Sequence, residues 1–100
     1  MDIKNMIKRN LEIRNPEWHL LKLAEECNEL SLAIIQSITK GNNIEHIYEE
    51  MGDVEISIEH IKSLYSKENI YEIIEKSKKK KWKKIDKKVS EIEKQLFNSL

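Results

Sequence analysis

An all-α fold follows from three observations on this 100-residue chain. Only two Gly and one Pro interrupt it. Apolar residues recur at three- and four-residue steps, with no strict alternation. Charged residues make up 36% of the chain, and most are the long side chains that favour helices. The length suits one domain, residues 1–100, small enough that a partner chain is expected to complete its core.

The first helix is expected over residues 2–14, with Ile3, Met6, Ile7 and Leu11 as its apolar positions. Asn15-Pro16 ends it, because Asn15 can cap the next helix and Pro16 suits a first turn, where its missing N–H costs nothing. The second helix should run from Pro16 to Thr39 with an apolar seam of Leu20, Leu23, Cys27, Leu30 and Ile34. Cys27, the only cysteine, rules out an intrachain disulfide and is expected to be a buried thiol on that seam. Gly41-Asn42-Asn43 stops the helix, with Gly41 as a left-handed cap. The third helix should span residues 44–65, its seam Ile44, Ile47, Met51, Val54, Ile58 and Ile61. Gly52 inside it costs about 1 kcal/mol relative to Ala, which either a close helix approach or a merely neutral substitution would explain. Ser66 is placed to cap a fourth helix from Lys67, with Ile70, Ile73 and Ile74 on its apolar face. From Lys76 to Lys88 there are nine Lys and one Asp, and Trp82, Ile85, Val89, Ile92 and Leu96 carry a helical stripe through and past this tract. A break near Lys79 and a continuous helix to the end are both compatible with the pattern.

Formal net charge is zero but unevenly spread. Residues 1–66 hold 7 basic and 12 acidic side chains, a net −5; residues 67–100 hold 11 and 6, a net +5. No signal-peptide pattern opens the chain, and no apolar stretch approaches the ~20 residues that cross a bilayer. These features point to the cytoplasm and to no membrane partner.

Two acidic pairs carry the chemistry: Glu26 and Glu29 as E-x-x-E, then Glu50 and Asp53 as E-x-x-D. Each pair shares one side of its helix. Glu26 and Glu29 lie roughly 80° and 140° to one side of their seam, Glu50 and Asp53 roughly 70° and 130° off theirs in the same sense. The short connection makes the helices antiparallel, so both pairs point to the same side of the hairpin, at matching axial level. Four carboxylates so placed repel unless a cation neutralises them. Oxygen ligands without His or Cys suit Mg2+, with Mn2+ an alternative, and such ions commonly carry substrate phosphates. Surface acids on amphipathic helices are the plain alternative. None of His19, His46 and His60 falls three residues after a ligand Glu, as a di-iron bundle requires.

At these residues the chain resembles the all-α nucleoside triphosphate pyrophosphohydrolases, the MazG family with its relatives the dimeric dUTPases and phosphoribosyl-ATP pyrophosphatases. Glu25-Glu26-Cys27-Asn28-Glu29-Leu30 is similar to the family's EE-x-x-EL, and Glu49-Glu50-Met51-Gly52-Asp53-Val54 to its EE-x-x-DV. Asp53-Val54-Glu55-Ile56 looks most like short, phage-type members, and the resemblance covers residues 15–90. It implies a four-helix bundle assembled as a homodimer or tetramer, and Mg2+-dependent hydrolysis of nucleoside triphosphates to monophosphate and pyrophosphate, a chemistry suited to nucleotide-pool clean-up. Glu26, Glu29, Glu50 and Asp53 would then be the metal ligands, with Glu26 also orienting the attacking water as general base. Phosphates would fall to Lys22, Lys81 and Lys84, although Lys22 lies one turn before Glu26 and is better placed to pair with it. From the residues themselves, Trp18 and Trp82 could stack on a base, although large aromatics at helical spacing more often belong to a core, and Asn15 and His19 could read the base edges. The competing readings are a non-catalytic helical dimer that serves as an interaction or regulatory module, and a nucleic-acid backbone binder acting through Lys76–Lys88. The acidic first two-thirds argues against the latter.

Overall fold

The computed structural model describes residues 1–41 and 43–99, and all its regular structure is helical: α1 (Ile3–Ile13), α2 (Pro16–Lys40), α3 (Ile44–Leu64), a 3-10 turn (Ser66–Glu68) and α4 (Ile70–Asn98). Asn42, in the expected turn, and Leu100 lie outside the described residues. The chain divides into two compact units, Met1–Ser66 and Lys67–Leu100.

Side-chain caps set the starts of the first three helices. Asn5 N–H donates to Asp2 Oδ1 (3.1 Å), Trp18 N–H to Asn15 Oδ1 (2.8 Å) and His46 N–H to Asn43 Oδ1 (3.2 Å), each satisfying a donor that the first turn leaves free. Gly41 takes φ 85° as expected, but with ψ 159°, an extended mirror-image conformation open to glycine and not the αL cap. Ser66 begins the 3-10 turn and not α4; Asn69, at φ 58°, precedes that helix instead. Asn is among the residues that tolerate this region. From there α4 is unbroken to Asn98.

In the first unit α2 and α3 form the main pairing, and α1 packs on α3. His19 meets His60 while Glu26 and Glu29 meet Glu50. Numbers rise along one helix as they fall along the other, so α2 and α3 are antiparallel. The faces in contact keep Leu23 and Leu30 of the expected α2 seam and Ile47, Val54, Ile58 and Ile61 of the expected α3 seam, all half-buried, and leave out the rest. On α2 the inward positions are His19, Leu23, Glu26, Leu30, Ala33 and Ser37; on α3 they are Ile47, Glu50, Val54, Ser57, Ile58, Ile61 and Leu64. Leu20 (43% exposed), Ile34, Ile44 and Met51 lie outside, and Cys27 is exposed, contrary to the buried thiol expected. The reason is that α2 is apolar round much of its circumference, with Leu21, Leu32, Ile35 and Ile38 also outside, so hydrophobicity alone does not select its inner face. Ala33 is the one buried hydrophobic residue among those described.

Polar contacts fasten α1 to the hairpin. His60 donates from Nδ1 to the Ile56 carbonyl (2.9 Å), and Nε2 therefore accepts from Asn10 Nδ2 (3.0 Å). The His19 and His60 rings stack at 5.7 Å, and the Arg14 guanidinium covers the Trp18 ring at 3.9 Å. Burial, then the neighbouring His60, holds the pKa of His19 below its ordinary 6.5. The native state therefore binds fewer protons at His19 than the unfolded chain does, and stability is lost as pH falls below about 6.5. Melting temperature should decline between about pH 7 and pH 5, and His19→Gln should flatten the decline. An unchanged slope would assign the acid sensitivity elsewhere.

Gly52 does not mark a close approach: a Cβ built there meets nothing within 4 Å. Gly52→Ala should raise unfolding free energy by about 0.5–1 kcal/mol, seen as a higher urea midpoint at constant m-value.

Candidate metal centre

Glu26 and Glu29 come from the middle of α2, and Glu50 from the second turn of α3. One carboxylate oxygen from each lies within 4.8 Å of the others. The convergence expected from the two motifs is thus present for three of the four acids. Glu26 is buried, Glu50 half-buried and Glu29 exposed. They reach each other because Glu26 lies on the line of contact between the helices, not 80° to its side. Asp53 is exposed and stands outside this group.

One cation already addresses the cluster. Lys22 Nζ sits 2.8 Å from Glu26 Oε1 and 3.7 Å from Glu25 Oε1, so it pairs with Glu26 as its spacing allowed. That hydrogen bond raises the pKa of Lys22. Glu26 Oε2 and Glu50 Oε2, both buried, have no hydrogen-bond partner. A buried oxygen left so is costly unless something supplies it. The Glu26 carboxylate, then desolvation, then Glu50 and Glu25 hold the Glu29 carboxyl above its ordinary range.

His46 escaped the sequence reading. It lies one turn before Glu50, with Nε2 3.8 Å from Glu50 Oε1 and Nδ1 3.7 Å from Glu49 Oε2. The i,i+4 spacing of His46 and Glu50 was the available signal.

The remaining expected substrate residues are dispersed. His19 is 2% exposed, enclosed against His60, so it has no free edge for a base. Trp18 is 36% exposed, but Arg14 already covers its face. Asn15 is occupied as the α2 cap. Lys81 and Lys84 are exposed on α4, in the second unit.

The donor set fits a hard divalent cation. It is all carboxylate, and two of its buried oxygens are unpartnered. Compared with protein-family models, with curated proteins and with solved structures, the chain finds no match in any of the three. No described helix is long and apolar enough to cross a membrane.

Proposed function

We propose that this chain is a Mg2+-dependent nucleoside triphosphate pyrophosphohydrolase of MazG-like type, acting on a nucleotide to give monophosphate and pyrophosphate. The observation that carries the reading is the meeting of Glu26, Glu29 and Glu50 with two buried, unpartnered carboxylate oxygens among them. The paired E-x-x-E and E-x-x-D motifs around these residues support it.

In this reading Glu26, Glu29 and Glu50 would hold the ion, with Asp53, three residues after Glu50, as the remaining acid of the paired motifs. A bound Mg2+, or Mn2+ in its place, would supply charge neutralisation at phosphate oxygens and activation of a water. Lys22 fixes Glu26 Oε1, leaving Oε2 to ligate or to orient that water. The family's four-helix bundle, its homodimer or tetramer, and a cytoplasmic setting go with this reading. The apolar side chains left outside on α2 and α3 are consistent with such an assembly.

The test is a pyrophosphate-release screen over standard and modified nucleoside triphosphates, with Mg2+, with Mn2+ and with chelator. Metal-dependent release from at least one nucleotide supports the assignment. No release from any, with no thermal stabilisation by Mg2+ plus nucleotide, favours the non-catalytic interaction module instead.

A further inference from the structure

In α4, Trp82, Ile85, Val89, Ile92 and Leu96 follow strict three-four steps, the period of a coiled-coil seam rather than of a broad amphipathic face. With Trp82 at position a, Ile85 and Ile92 take d, and Val89 and Leu96 take a. These residues are between 44% and 66% exposed, and α4 buries none of its side chains. The outer positions b, c and f are polar apart from Phe97: Lys83, Lys84, Lys87, Ser90, Glu91, Lys94 and Asn98.

The flanks of the seam say what covers it. Lys81 and Lys88 fall at g, Asp86 and Glu93 at e. Between two parallel, in-register copies each g side chain faces the e side chain five residues further along the other helix. That places Lys81 opposite Asp86 and Lys88 opposite Glu93, twice over by symmetry. An antiparallel pair would oppose g with g and e with e, lysine against lysine and acid against acid. Among the described residues none of these four makes an ion pair within the chain; the pair in α4 joins Lys78 to Glu75, ahead of the seam.

We propose that the α4 seam is an interaction surface for a second copy of this chain, docked parallel and in register over residues 81–96. The interface stands on the seam and its charges and needs nothing from the carboxylate site. It commits Lys81 to Asp86 of the second copy and leaves Lys84 on the outer face.

Sedimentation equilibrium of the full chain and its charge variants tests this. Lys88→Glu turns the Lys88–Glu93 attractions into repulsions, and Glu93→Lys does the same from the other side. Each variant alone should associate about tenfold more weakly than the parent. Mixed one to one they should recover parent affinity, as should the double variant K88E/E93K. Self-association of the parent should itself weaken with salt. In a Cys27→Ser background, Val89→Cys should form an interchain disulfide on mild oxidation, while Ser90→Cys, on the outer face, should not. A parent chain that stays monomeric to ~100 µM overturns the proposal. So do single variants that associate as tightly as the parent, or a mixture that recovers nothing. Glu29→Gln, expected to lose hydrolysis, should assemble as the parent does, so failure of the catalytic reading and failure of this one are read separately.

Discussion

Glu29→Gln should melt at a higher temperature than the parent chain in the absence of divalent cations and yet lose its pyrophosphate release. Three carboxylates meet within 4.8 Å, and Lys22 compensates only Glu26 directly. The repulsion is registered at Glu29, whose carboxyl is held above its ordinary 4.5. The native state then binds a proton there more tightly than the unfolded chain does. Stability contributed by this group is present at low pH and falls as pH rises from about 4.5 through the raised native value. At neutral pH the ionised Glu29 therefore weighs against folding, and an uncharged amide of the same shape removes that load. The sign is opposite to that of His19, which loses stability as pH falls. With Mg2+ the order should invert: the parent gains stability and the variant gains little, because a ligand is missing. Turnover should fall about a hundredfold or more, the scale on which loss of one charge-stabilising group acts. Melting curves with and without Mg2+, paired with the pyrophosphate assay, check both halves. Parent-level turnover in the variant would remove Glu29 from the reaction. A lower melting point without metal would show that the three acids do not crowd one another in solution.

Ala33→Leu should cost about 1–3 kcal/mol of unfolding free energy, the usual penalty for forcing extra carbons into a filled contact. Ala33 is 4% exposed, on the α2 face that meets α3. It lies two turns beyond Glu26 on that face. A larger side chain there pushes the helices apart on the line that brings Glu26 to Glu50. For a chain of this length the cost corresponds to roughly 4–8 °C in melting temperature per kcal/mol. Stabilisation by Mg2+ should shrink in parallel, linking packing to the site. Ser31→Leu, at an exposed position of the same helix, should leave both unchanged. Equal stability of Ala33→Leu and the parent would mean that the two helices are not in close contact at Ala33.

Much of this was legible in the residues. Asn15-Pro16, Gly41 and Asn43 mark helix ends because capping chemistry is local, and the structure uses both asparagines as caps. The meeting of Glu26, Glu29 and Glu50 follows from helical spacing and a short antiparallel connection. The rotation of α2 was not legible. Leu20, Leu21, Leu32, Ile34, Ile35 and Ile38 pull its hydrophobic direction away from the side that α3 occupies. A pairing fixed by Ala33, His19 and Glu26 outweighs that direction, and Cys27 ends outside as a result. The burial of His19 was hidden for a similar reason. It depends on His60, forty-one positions away, and on Asn10 from a third helix.

The shortage of hidden hydrocarbon, with Ala33 standing nearly alone, has a calorimetric consequence. Heat capacity of unfolding scales with the apolar surface newly wetted. An isolated chain should therefore fall below the ~12–15 cal/mol/K per residue of ordinary globular proteins and show a broad, shallow endotherm. Conditions that drive self-association should sharpen that peak and steepen its baseline step.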